Sequence, residues 1–130
     1  MYRSFKQEIV SDAVPPAAGP SSSGCRAGDF YYYSGLLGLK PDGTTYGASA
    51  AEQAWQALGN LLQLLAVGNL DASHVVKTTV FLTDLADLAT VDEVYAQFFT
   101  PPLPTRSTVQ VAALPMDLKV GFEAVAWYHM

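Results

Sequence analysis

Arg106 lies within Pro104-Thr105-Arg106-Ser107-Thr108-Val109-Gln110-Val111-Ala112-Ala113-Leu114-Pro115, where it is the only charged residue, just after a Pro-rich segment. A guanidinium at the head of an apolar strand is costly unless an anion meets it. Its planar fork matches a carboxylate through two parallel hydrogen bonds. The pattern points to a pocket for a small organic acid, with a surface ion pair to an acidic side chain as the alternative. Other reactive residue types offer less. Cys25 is the only cysteine, which excludes an intrachain disulfide or a thiolate metal cluster and leaves a free thiol in a loop. A nucleophilic Cys25 would need a base and a lowered thiolate pKa, and its neighbours offer neither clearly. His74 and His129 are far apart in sequence and form no metal-ligand motif. No His–Ser arrangement accompanies Ser34, which reads as a hydrogen-bond donor rather than a nucleophile.

The balance of the chain narrows the partners. Twelve acidic residues against seven basic ones give a net charge of −5, and the Lys and Arg residues are scattered from Arg3 to Lys119. Phosphate backbones need a basic stripe, so nucleic acid is not an expected partner. Half of the residues are apolar and only 15% are charged, which argues against disorder. A chain of 130 residues buries a core without staples, and residues 1–130 read as one domain. So apolar a chain should cover part of its surface with copies of itself. Met1 to Glu8 lacks a signal-type apolar stretch, and no run approaches the roughly 18 apolar residues that span a bilayer. A soluble, cytoplasmic protein with no membrane partner is expected.

These residues need elements to position them. Tyr2 to Val10 reads as a strand, and Ser11 to Gly28 as a long loop broken by Pro15-Pro16 and Gly19-Pro20. Phe30-Tyr31-Tyr32-Tyr33-Ser34 is an aromatic strand ending at Gly35, and Pro41-Asp42-Gly43-Thr44 is a turn. Ser49-Ala50-Ala51-Glu52 is a capping box that starts a helix. Ala51, Trp55, Leu58, Leu62 and Leu65 share a face of it, and Gly68 supplies the left-handed stop. Val75 to Thr83 alternates, with Val76, Thr78, Val80 and Leu82 on one side and Lys77, Thr79, Phe81 and Thr83 on the other. A second helix over about Asp87 to Phe99 buries Leu88, Val91, Val94, Tyr95 and Phe98 and ends before Pro101-Pro102. Strands Arg106 to Leu114 and Lys119 to Tyr128 follow, joined at Pro115-Met116-Asp117. The order β-β-α-β-α-β-β predicts an α+β fold, one mixed sheet with both helices on one face. Tyr31, Tyr33, Gln110 and Trp127 are expected on the other face, which packing between subunits would cover.

Three blocks carry a resemblance. Val76-Lys77-Thr78-Thr79-Val80-Phe81-Leu82-Thr83-Asp84-Leu85, Ala89 through Phe99, and Thr105 through Pro115 closely resemble, in order and spacing, the reactive-intermediate deaminase family (Rid, formerly YjgF, also labelled L-PSP endoribonuclease). Gly19-Pro20 and Ser34-Gly35 fit its N-terminal half. The resemblance implies a chorismate-mutase-like subunit in a barrel-like homotrimer with pockets at the subunit interfaces. It implies hydrolysis of enamine and imine intermediates such as 2-aminoacrylate to 2-oxo acids and ammonia, with no metal or organic cofactor. Arg106 matches the family's carboxylate-gripping Arg. Ser34, Gly35, Ser107 and Thr108 match the cradle around the ligand, Thr108 standing where many members carry Cys.

The departures from the family pattern bear on chemistry. Deaminating members carry a water-positioning Glu that aligns with Gly121, in Val120-Gly121-Phe122-Glu123, so only the second Glu of the pattern, Glu123, remains. The two positions share a strand face about 6.5 Å apart. The Tyr after Gly-Pro is Ser21, the Asn after Ala-Thr-Val is Asp92, and the Gln after Ser-Gly is Leu36. Losing Glu and Tyr removes groups that activate and orient water, while Gly121 and Ser21 enlarge the pocket. Arg106, Glu123 and Asp92 are therefore the candidates for catalysis. For Glu123 the alternative is a structural role paired with Arg106 or Lys119, and for Asp92 an exposed acid in the first turns of its helix. The expected function is deamination of small carboxylated imines or enamines. A diverged enzyme for a bulkier carboxylated intermediate and a non-catalytic trimer binding 2-oxo acids are the alternatives. Ribonuclease activity is disfavoured by the acidic charge.

Overall fold

Helix α1 (Ala50–Val67) starts where the capping box sets it. The Glu52 N–H donates to the Ser49 hydroxyl at 3.1 Å, and the Glu52 carboxylate accepts from the Ser49 N–H. The Ser49 hydroxyl also donates to Glu52 Oε1 at 2.9 Å, and this bond, with that from the Ser49 N–H, holds the Glu52 carboxyl below its usual range. The computed structural model describes residues 5–129. At the far end Gly68 keeps φ at −95°. Asn69 takes the left-handed conformation instead, with φ 60°, which its short polar side chain tolerates.

The buried face of α1 differs from the predicted one. Ala54, Ala57, Leu58, Leu61, Leu64 and Leu65 are buried, whereas Trp55 and Leu62 point outward. Two alanines on the inner face let the helix lie close to the sheet. Gly38 marks how close, because a Cβ there would sit 2.6 Å from the Gln53 Cα. Trp55 is too large for that gap and packs edge-on against Phe98 outside. Two buried polar side chains on α1 tie down the surrounding chain. Asn60 Nδ2 donates to the carbonyls of Leu37 and Leu39, and Gln53 Oε1 accepts from the Lys119 N–H at 2.7 Å.

One sheet carries the rest. Its strands are β1 (Lys6–Ile9), β2 (Gly24–Ala27), β3 (Phe30–Leu37), β4 (Val75–Leu82), β5 (Thr105–Gln110) and β6 (Val120–Trp127). Their spatial order is β1-β2-β3-β6-β4-β5. Only β4 and β5 run parallel; the other neighbours are antiparallel. Strand β2 lies inside the segment read as a loop. Gly-Cys-Arg-Ala is too short to show alternation, and its pairing with β1 and β3 makes it a strand. Residues 2–4 of the predicted first strand lie outside the described residues. Strand β5 ends at Gln110 rather than Leu114 because β4 ends at Leu82, whose carbonyl takes its last bond from the Val111 N–H. Helix α2 is Leu88–Tyr95, and the chain continues to Phe99 as single turns.

Both helices cover the same sheet face, where Tyr31, Tyr33, Leu36, Val80, Leu82, Phe122 and Ala126 join Leu58, Leu61, Leu64 and Val91 in one core. Tyr31 and Tyr33 therefore belong to the helix side, not to the open face. Gln110 is also not an open-face residue: its Oε1 accepts from the Leu85 N–H. Of the four expected there, Trp127 remains, paired with Phe30, and Tyr32 follows Phe30 on that face. A register shift between Val75 and Lys77 turns Val76 outward, out of the predicted alternation. No helix among the described residues is long and apolar enough to cross a membrane.

Candidate functional site

Arg106 stands on the edge strand. The parallel register sets it beside Thr78, whose side chain is buried on the helix side, so Arg106 faces α2. One turn of α2 presents Asp92 and Tyr95 together, three residues apart on one face. Arg106 Nη1 donates to Asp92 Oδ1 at 2.7 Å, and its guanidinium carbon lies 4.9 Å from the Tyr95 ring centre. The Tyr95 hydroxyl is itself fixed, 2.7 Å from Thr78 Oγ1. Burial pushes the Tyr95 phenol up, outweighing the hydrogen bond from Thr78 and the nearby Arg106 charge. Arg106 is thus oriented by a carboxylate and a ring face, which together use one of its five N–H groups in hydrogen bonding. The pair lines a cavity of about 550 Å³ whose other walls include Phe99, Leu103 and Pro104. Such a guanidinium can still take a ligand carboxylate on the rest of its fork.

A second constellation occupies the open face. Tyr32, Ser34, Lys77, Thr79, Glu123 and Val125 are among the residues lining a cavity of about 250 Å³. Thr79 lies directly opposite Glu123 in the β4–β6 register. Its hydroxyl donates to Glu123 Oε2 at 2.9 Å and accepts from Lys77 Nζ at 3.3 Å. The partner of Glu123 is therefore Thr79, correcting the expected pairing with Arg106 or Lys119. The sheet explains the correction: Glu123 and Arg106 sit on opposite faces of it, and the Lys119 backbone is bound to Gln53. Ser34 and Gly35 fall in a break of the β3–β6 ladder between Tyr33 and Leu36. Gly35 adopts φ +63° there, a conformation that favours glycine at a bulge.

The remaining sequence candidates are dispersed. Ser107 pairs with Thr79 in register and Thr108 with Val80, so Thr108 lies on the Arg106 side of β5 and Ser107 on the open side. Gly121 faces Phe81 and Leu37. A Cβ at Gly121 would approach Leu37 Cδ2 to 3.0 Å, a contact with the end of a flexible side chain. The Ser21 hydroxyl donates to the Ala18 carbonyl, and Ser21 lines a separate cavity with Glu8 and Pro16. The chain thus unites Arg106 with Asp92, and Ser34 with Glu123, but leaves Ser21 and Gly121 outside both groups. Lys77, Thr79 and Tyr95 were not singled out from sequence as site residues. The alternation of β4 already put Lys77 and Thr79 on one face; Tyr95 was indistinguishable from a core aromatic. Among the described residues no group of His, Cys, Asp or Glu is arranged to hold a metal ion.

Comparison with known proteins agrees with this architecture. Residues 11–128 match the family described as Endoribonuclease L-PSP. The chain is 46% identical over 125 residues to Reactive Intermediate Deaminase A, chloroplastic, of Arabidopsis thaliana, covering 95% of this chain and 67% of that protein. It is 42% identical to 2-iminobutanoate/2-iminopropanoate deaminase of Bos taurus, covering 95% and 91%. The crystal structure of E. coli TdcF with bound serine superposes with a TM-score of 0.88 at 38% identity, covering 95% of this chain and 99% of that one. With the mixed six-stranded sheet, the two helices on one face and the match across nearly all its length, the chain belongs to the reactive-intermediate deaminase (Rid/YjgF) family.

Proposed function

We propose that this protein hydrolyses enamine or imine intermediates to 2-oxo acids and ammonia, in pockets between the subunits of a homotrimer, with Arg106 holding the substrate carboxylate. The observation that carries this reading is the oriented, incompletely satisfied guanidinium of Arg106 at the edge of the sheet. The Ser34–Glu123 group lies on the other face of the same sheet. A small ligand touching both groups needs two chains, with the β5 edge of one meeting the open face of the next. On that face Phe30, Tyr32 and Trp127 are each 44–48% exposed, which supports a subunit interface there. Light scattering is expected to give three times the 13.9 kDa chain mass.

The chemistry follows from the groups available. Water adds to the carbon of the C=N bond and a proton passes to nitrogen. The resulting carbinolamine expels ammonia and leaves the 2-oxo acid. Glu123, held at one oxygen by Thr79, has a second oxygen to accept the proton of the attacking water. Backbone N–H groups near Gly35 and Thr108 cradle the carboxylate end. Relatives named as a reactive intermediate deaminase and as a 2-iminobutanoate/2-iminopropanoate deaminase support the reaction class. The cavity of about 550 Å³ beside Arg106, walled by Tyr95, Phe99 and Leu103, favours a second reading: the same chemistry on an acid bulkier than 2-iminobutyrate.

The test is ammonia release from freshly generated 2-aminoacrylate and 2-iminobutyrate by wild type, Arg106→Ala and Gly121→Glu. Acceleration by wild type that is lost in Arg106→Ala is the expected result. Background rates in wild type with an active Gly121→Glu would favour the bulkier-acid reading. Background rates in all three would overturn the deaminase assignment and leave a binding protein.

A further inference from the structure

We infer that Asp92 makes this site select ligands that carry a cationic nitrogen next to their carboxylate, protonated imino acids and the matching amino acids, over 2-oxo acids of the same skeleton. The inference rests on the proposed role of Arg106 as carboxylate ligand. It starts from the 2.7 Å contact between Arg106 Nη1 and Asp92 Oδ1. The Asp92 side chain is 43% exposed, and its Oδ2 makes no hydrogen bond among the described residues. Both members of the pair line the same cavity, and its other lining residues are Tyr95, Ala96, Phe99, Thr100, Pro101, Leu103 and Pro104. None of those is charged at neutral pH, so on this chain's side of the cavity the charges that meet a ligand are those of the pair.

A purely anionic ligand meets a guanidinium whose charge is already opposed by a carboxylate. To reach the fork of Arg106 it must bring its own carboxylate close to Asp92, a like-charge approach in a partly dry cavity. An iminium or ammonium nitrogen two bonds from the ligand carboxylate changes the sign of that second contact. The ligand then opposes its two charges to the two charges of the pair, carboxylate to Arg106 and nitrogen to Asp92. Hydrolysis removes the nitrogen as ammonia and leaves a 2-oxo acid with only the negative end. Asp92 would therefore hold the protonated substrate and weaken the hold on the product, with Arg106 common to both. Tyr95 lies under the guanidinium and faces Asp92 too, but its raised pKa keeps it neutral and outside this discrimination.

The experiment compares 2-aminobutyrate with 2-oxobutyrate, which share a carbon skeleton, by calorimetric titration of the full-length protein. Asp92→Asn keeps the acceptor oxygen for Arg106 and removes the charge, and thermal melting checks that it folds. Wild type is expected to favour the amino acid by about tenfold or more, the scale of one like-charge contact at partly buried distance. Asp92→Asn is expected to erase that preference, mainly by tightening 2-oxobutyrate. In turnover, product inhibition by 2-oxobutyrate should strengthen in Asp92→Asn. A preference unchanged by Asp92→Asn, with binding still lost in Arg106→Ala, would overturn this inference and leave the role of Arg106 standing. Binding indifferent to both substitutions would overturn the two together.

Discussion

The two faces of the sheet are built on opposite rules. On the helix side, Leu58, Leu61, Leu64, Val80, Leu82 and Val91 are at most 1% exposed; Thr78 and Tyr95 satisfy each other there, while the buried Tyr33 hydroxyl has no partner among the described residues. On the open side, large aromatics stand in solvent beside a polar chain of Lys77, Thr79 and Glu123. Burial holds the subunit together on one face; the other carries groups that need a ligand, water or another chain. Arg106 belongs to neither regime. It occupies the helix side at the sheet's rim, where α2 covers the strand only partly, and so remains oriented without being sealed. The lesson is that the candidate site residues of this fold gather where coverage of the sheet gives out.

The sharpest way to break this contrast is to truncate one residue on each face. Leu61→Ala is expected to lower the unfolding free energy by about 2–5 kcal/mol in urea titrations, because the close-packed face cannot collapse around the void. Tyr32→Ala on the open face should cost the isolated fold less than about 1 kcal/mol while lowering the mass seen by light scattering. Equal stability losses would mean that the faces are not energetically distinct. Next in size, Arg106→Ala should reduce kcat/KM by about a hundredfold, the worth of a charge-assisted fork. Arg106→Lys should recover only part of it, since an ammonium lacks the planar geometry.

A smaller effect tests the open face alone. Thr79→Val keeps shape and removes the hydroxyl that fixes Glu123, and kcat should fall by about tenfold, roughly one hydrogen bond. The smallest effect concerns the start of α1. Ser49→Ala should cost about 1 kcal/mol. Glu52 has a folded pKa below its unfolded value, so its contribution is present above the ordinary carboxylate range and is lost as pH falls through the lowered one. Acid melting curves of wild type and Ser49→Ala should therefore converge as the pH drops.

What the sequence disclosed depended on whether a signal was local. The capping box at Ser49 and Glu52 marked the start of α1 to the residue, and the β-branched run of Val75 to Thr83 marked β4. Arg106 was conspicuous because charge is rare around it, and its pairing with Asp92 joins two of the residues singled out as candidates. Strand β2 was invisible because four residues between glycine and alanine show no period; only its neighbours define it. The inner face of α1 was misassigned since size dominated the pattern. Trp55 and Leu62 look like core, yet close approach at Gly38 selects the alanines. Which face of the sheet holds Tyr31, and which partner holds Glu123, are matters of register between distant strands, and no window of sequence contains both sides of a ladder.

Asn60 and Gln53 reach from the middle of α1 to the carbonyls of Leu37 and Leu39 and to the N–H of Lys119. The helix thereby acts as a ruler for the end of β3 and the start of β6, two of the strands whose residues line the open-face cavity. Insertions or deletions at 37–39 would cut these ties, so that region should resist changes of length during laboratory evolution. The segment from Pro101 to Pro104 lines the Arg106 cavity and has no such tie to α1. Substrate range should therefore be most readily retuned by varying the length and bulk of 101–104, with the helix left untouched.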